Sequence, residues 1–144
     1  MKAYPHGFLT LFWWLQSLLA ASGLLLLPGM LVLKLEWDVN TTALLDSRVA
    51  LAATHALLAF ITLLALGALL PIHVRHGLRQ KKNKRTGISL LSIFFVLILT
   101  GWGIYYMADE QWSLWASLLH VLTSVLVILC LTIHVIMAKK VRAR

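Results

Sequence analysis

Acidic residues are scarce in this chain. Only five Asp and Glu occur in 144 residues, against thirteen Lys and Arg, and charged residues of all kinds make up 12% while hydrophobic residues make up 60%. A typical soluble domain carries about 25% charged residues. Lipid is therefore the expected solvent. Long polar stretches are lacking, no internal repeat is evident, and the one linker-like segment is a Lys/Asn-rich turn at residues 80–86. That leaves no room for a second domain and predicts one transmembrane domain over residues 1–144. Cysteine is nearly absent. Cys130 lies inside an apolar run, where it forms no intramolecular disulfide and reads as a small apolar packing residue.

Against these absences stand four segments with no Asp, Glu, Lys or Arg, at residues 8–33, 49–72, 88–107 and 112–138. Each reaches the roughly 20 apolar residues that a helix needs to cross a hydrocarbon core about 30 Å thick. With no water in that core to satisfy backbone amides, helix is the conformation each segment must adopt. An all-α, integral membrane four-helix bundle with up-down-up-down topology is expected. The first segment has a basic start at Lys2 and small residues at Ala20-Ala21-Ser22-Gly23, as a signal peptide would. Its apolar run exceeds the 7–15 residues of a signal core and continues past those small residues, so it is read as a span. Pro28 and Pro71 fall late in the first and second segments and are expected to kink them.

Charge sorts by side. The link between the second and third segments carries Arg75, Arg79, Lys81, Lys82, Lys84 and Arg85, and the tail carries Lys139, Lys140, Arg142 and Arg144. The other side holds only Lys34 and Arg48 among its bases, together with Glu36, Asp38, Asp46, Asp109 and Glu110. Basic short loops stay in the cytoplasm, which predicts that both termini are cytoplasmic and that the first and third links face out. The net charge of +8 is then a topology signal and a contact for anionic lipid head groups. No nucleic-acid partner is expected, since the bases form short juxtamembrane clusters and no folded soluble face. Trp37, Trp112 and Trp115 sit where interfacial anchors belong on the outer side, and Tyr4 on the inner. Asn40-Thr41-Thr42 matches a glycosylation acceptor, a tripeptide too common to carry weight.

Six histidines are the most informative residues. An ionisable side chain within a span is costly to bury and marks a functional site by default. His55 and His120 lie well inside their segments; His134 and His73 lie near the inner boundary, and His76 and His6 at or beyond it. The second and fourth segments run in the same direction, so their depths compare directly. His55 is seven residues in from Arg48 and His120 eight in from Trp112, while His73 is twenty-five in and His134 twenty-two in from the same marks. The inner difference is about 4.5 Å at helical rise, which tilt absorbs. Two level pairs result. In unbroken α-helix the eighteen-residue step from His55 to His73 is five whole turns, and the fourteen-residue step from His120 to His134 leaves them about 40° apart. His76 is about 60° off the His55 direction.

Two imidazoles at one level on facing helices are what a haem iron with both axial positions filled requires, and bundle cores are where such sites are built. Two levels imply two haems with irons about 20 to 25 Å apart. Arg48 and Arg75 are placed to pair with propionates or to anchor their helices at the interface. A single membrane histidine can instead serve as an interhelical hydrogen-bonding residue. Four in two level pairs argue for ligation.

The chain resembles the small bacterial di-haem cytochromes b that include the gamma subunits of membrane formate dehydrogenases and the cytochrome b subunits of nickel-iron hydrogenases. The fourth segment carries the most specific part of the likeness, His120-Val-Leu-Thr-Ser-Val-Leu-Val-Ile-Leu-Cys-Leu-Thr-Ile-His134, which is similar to that family's two-histidine ligand helix, and His55 matches its outer ligand. The first segment departs from it. Leu11-Phe12-Trp13-Trp14, followed by Ser22-Gly23, has Trp13 where those relatives place a histidine. His73-Val-Arg-His76-Gly-Leu-Arg79, with Arg85-Thr-Gly-Ile-Ser and Leu99-Thr-Gly-Trp102, resembles a second group of small membrane cytochromes whose second helix bears both ligands. The resemblance implies two b-type haems held by His55 with His120 and by His73 with His134; His76 and His6 remain alternatives to His73. It further implies a multi-pass protein of the bacterial inner membrane that exchanges electrons between quinone and a redox protein such as an extracytoplasmic cytochrome c. No quinone site is readable, and the spans offer no carboxylate for a proton relay. A histidine-based divalent-metal or haem transporter is the alternative, weakened by that lack of carboxylates and by levels too far apart for one small ion. A cofactor-free membrane anchor or assembly subunit is a third reading.

Overall fold

The computed structural model describes residues 7–38, 42–80 and 83–142. Tyr4, His6, Asn40, Thr41, Lys81, Lys82 and Arg144 lie outside these. The described chain is helical in six α-helices: α1 (Phe8–Leu35), α2 (Thr42–Asp46), α3 (Arg48–Leu69), α4 (Arg75–Gln80), α5 (Lys84–Tyr106) and α6 (Glu110–Arg142), with a π-helical turn, Leu70–Val74, between α3 and α4. Four of them, α1, α3, α5 and α6, are long and apolar enough to cross a membrane. These correspond to the four segments expected, with charged residues added at an end of each; α3 stops at Leu69, three residues short of the expected end, where the π turn begins, and α5 stops at Tyr106, one residue short. Pro28 lies within α1 without ending it. Pro71 falls inside the π turn, where the wider hydrogen-bonding pattern accommodates a residue that lacks an N–H.

Two compact units make up the chain, Met1–His73 and Val74–Arg144. Composition predicts a single domain; the chain folds as two helix pairs, one built on α1 and α3 and the other on α5 and α6. In the second pair the register is antiparallel: Thr86 meets His134 and Thr100 meets His120. In the first pair Ser22 meets His55.

Packing in both units is inverted relative to a soluble core. The few buried side chains are as often polar as apolar, with Ser22, Thr62, Thr100, Ser117 and Thr123 beside Phe12, Leu15, Phe94, Ala116 and Val127, whereas many leucines, isoleucines and tryptophans are exposed. In lipid, large apolar side chains lose nothing by facing outward, and small or hydroxylated residues at the seam let two backbones approach closely. Gly103 shows how closely, because a Cβ there would stand 3.2 Å from the Cβ of Ala116. Most seam hydroxyls bond back to carbonyls of their own helix, as Ser117 does to Ser113 at 2.8 Å and Thr123 to Leu119 at 2.7 Å. Among the described residues, two buried atoms, Gln16 Nε2 and Thr62 Oγ1, have no hydrogen-bond partner.

Candidate functional site

Three of the histidines singled out from depth share one local arrangement. On the preceding long helix a hydroxyl residue is followed by glycine; the hydroxyl meets the imidazole Nδ1, and the glycine lies under the ring edge. His55 of α3 meets Ser22 Oγ at 2.8 Å, His120 of α6 meets Thr100 Oγ1 at 3.0 Å, and His134 of α6 meets Thr86 Oγ1 at 2.9 Å. The glycines are Gly23, Gly101 and Gly87 in the same order. A Cβ on Gly23 or Gly101 would stand 3.2 Å from Cε1 of the ring above it, and one on Gly87 would stand 3.7 Å away. A Cβ beside His55 or His120 would thus make a tight contact that requires the ring to give by a few tenths of an ångström, whereas beside His134 it would meet ordinary van der Waals space.

The hydroxyl proton has a destination in each case. Ser22 Oγ donates to the Leu19 carbonyl at 3.0 Å, Thr100 Oγ1 to those of Val96 and Leu97 at 2.9 and 3.0 Å, and Thr86 Oγ1 to that of Asn83 at 3.0 Å. A hydroxyl has one proton to donate and lone pairs with which to accept. With the proton on a carbonyl, the oxygen accepts from Nδ1–H, and the neutral imidazole then carries its lone pair on Nε2. That is the tautomer which binds a metal through Nε2 while its other nitrogen donates to a neighbour. Local structure prepares one of these sites: Asn83 adopts the left-handed conformation at φ 53° as α5 begins, a conformation Asn tolerates, and its carbonyl takes both the Thr86 hydroxyl and the Gly87 N–H at 3.1 Å.

Spacing ties the second unit together. Thr86 to Thr100 on α5 and His120 to His134 on α6 are each fourteen residues, so the two arrangements recur at a common interval of about 21 Å along the antiparallel pair. The Thr-Gly dipeptides are therefore functional candidates beside the histidines. Their fourteen-residue interval matches that of the histidines, a correspondence that gains meaning only once the two helices are paired.

His73, the remaining expected ligand, lies in the π turn and is exposed within its unit, and His76 is half-buried on α4. A π turn acts as a one-residue insertion and rotates the residues beyond it by up to about 100°. The whole-turn relation between His55 and His73 holds for an uninterrupted α-helix and does not carry past Leu69. Arg48 and Arg75, at the starts of α3 and α4, are exposed, as are Trp13 and Trp14 of α1. Among the described residues no group of three or more His, Cys, Asp and Glu side chains comes together.

Comparison of the chain with protein-family models, with curated proteins and with solved structures gives no match.

Proposed function

We propose that the protein is a membrane electron-transfer cytochrome b that holds two b-type haems through bis-histidine ligation, His55 with His120 at one level and His73 with His134 at the other. The pairing rests on depth in the sequence. One structural observation supports ligation most strongly: His55, His120 and His134 each present Nδ1 to a hydroxyl whose own proton is already given to a carbonyl. Imidazoles so held fit an iron-ligating role. The residue that completes the second level is drawn from His73, His76 and His6, with His73 favoured by its place at the end of the second span.

Bound haem would supply one-electron transfer. The chain's own residues would hold the ligand rings of His55, His120 and His134 from the neighbouring helix of each unit, and would offer Arg48 and Arg75 to propionates. Quinone in the membrane and an extracytoplasmic redox protein such as a cytochrome c are the proposed exchange partners, with a bacterial inner membrane as the location and both termini in the cytoplasm. Seam residues of the spans include no carboxylate, which leaves electrons as the only charge carried across.

Purification from cells supplied with ample haem tests the reading. Two haems per chain with low-spin bis-imidazole absorption are expected. A colourless protein would overturn it in favour of a transporter or a cofactor-free anchor. Replacing His73, His76 and His6 one at a time then identifies the last ligand, and retention of both haems in His73→Ala would overturn that assignment.

A further inference from the structure

We infer that Ser22, Thr86 and Thr100 are positioning residues that fix the tautomer and the donor strength of His55, His134 and His120, so that the electronic character of each level is set from the neighbouring helix of the same unit. The inference rests on the proposed haem ligation where it concerns potential. Where it concerns the tautomer, it stands on the hydrogen bonds alone.

A hydroxyl can serve a histidine in two opposite ways. If it donates to Nδ1, the ring proton sits on Nε2 and that nitrogen has no lone pair for a metal. If it accepts from Nδ1–H, the lone pair is on Nε2 and the ring becomes a better electron donor. In all three places the hydroxyl proton is committed elsewhere, to carbonyls three or four residues back in the chain at 2.9 to 3.0 Å. The same choice made three times, by a serine once and threonines twice, is more than generic helix-to-helix adhesion would give. Thr123 shows the generic pattern: its buried hydroxyl bonds back to the Leu119 and His120 carbonyls of its own helix, at 2.7 and 3.1 Å, and to no imidazole. The glycine that follows each positioning hydroxyl completes the device by admitting the ring edge. Its contact is closer at His55 and His120 than at His134.

Donation from Nδ1–H to a neutral oxygen strengthens the imidazole as a ligand, which favours the oxidised metal and lowers the reduction potential. Removing the acceptor should therefore raise the potential of the haem at that level and leave the other in place. Under the proposed pairing of His55 with His120, Thr100→Val and Ser22→Ala are expected to shift one haem and Thr86→Val the other. Thr100→Ser should restore the original potential, since it returns the oxygen without the methyl group.

The test is a redox titration of the wild-type protein and these four variants in detergent or lipid, with nitrogen-15 NMR of the histidine rings in lipid bilayers. Level-specific upward shifts with rescue by Thr100→Ser support the inference. Unchanged potentials in variants that keep both haems, or equal shifts of both haems in every variant, overturn it while leaving haem ligation intact. Should a variant lose haem, or the wild-type protein bind none, the ring spectrum decides: protonated Nδ1 at His55, His120 and His134 supports the tautomer assignment, and protonated Nε2 overturns it.

Discussion

At the scale of single residues, the site sets glycine against hydroxyl. Gly23 and Gly101 face imidazole carbons at 3.2 Å from any added Cβ, whereas Gly87 allows 3.7 Å. Gly23→Ala and Gly101→Ala are expected to push the ring off its hydroxyl and to destabilise by about 1–3 kcal/mol, as overpacking does. Gly87→Ala should be neutral or stabilising by up to about 1 kcal/mol, because the helix gains a better former without a clash. Thermal unfolding in detergent measures the contrast, and equal losses at all three positions would contradict the geometry. Threonine offers a second contrast. Thr62 is 3% exposed with an unpartnered hydroxyl, so Thr62→Val removes an unsatisfied buried group and is expected to stabilise by about 1 kcal/mol. At Thr100, where the oxygen is bonded, the same change is expected to destabilise by a similar amount. Opposite signs in one unfolding experiment are the result to look for.

Among the elements, the π turn at Leu70–Val74 is the one that most affects the site, since it decides which way His73 and His76 face. Pro71→Ala restores an N–H and a smaller side chain and should favour continuous α-helix through this stretch. If His73 depends on the π turn for its direction, haem at the His134 level is expected to fall in occupancy while that at the His120 level is kept. Haem quantified per chain, with the two species resolved by redox titration, checks this; full occupancy of both would show that the turn does not matter. The four long helices were legible in the sequence because uncharged runs of their length have one outcome in lipid. Depth and direction likewise singled out His55, His120 and His134 as candidates. The π turn was not legible, being a local departure that neither period nor composition signals. Nor were the partners of the imidazoles, which depend on antiparallel register, a tertiary property. Ser22-Gly23, Thr86-Gly87 and Thr100-Gly101 acquire a role only once the helices are paired.

The whole molecule comprises two helix pairs of like design, each presenting imidazole from its second long helix to a hydroxyl-glycine dipeptide on its first. The pair α5 and α6 does so twice and the pair α1 and α3 once among the described residues. Charge distribution gives the proposed orientation, and reporter fusions test it: a reporter active only in the cytoplasm should work when joined after Arg144 or within residues 80–86. Activity there of a reporter that functions only outside would reverse the topology. The proposed level pairing of His55 with His120 requires α3 and α6 to run in the same direction, so a reporter result reversed at one of the two positions and not the other would overturn it as well.

Haem content tests the central claim most directly. Pyridine haemochrome assay of the purified chain, together with its reduced and oxidised absorption spectra, is expected to give two b-type haems per chain, both low-spin, with one lost in His120→Ala and the other in His134→Ala. A chain that folds in lipid yet binds no haem, or one whose haem content is unchanged in His120→Ala and His134→Ala, would contradict the account.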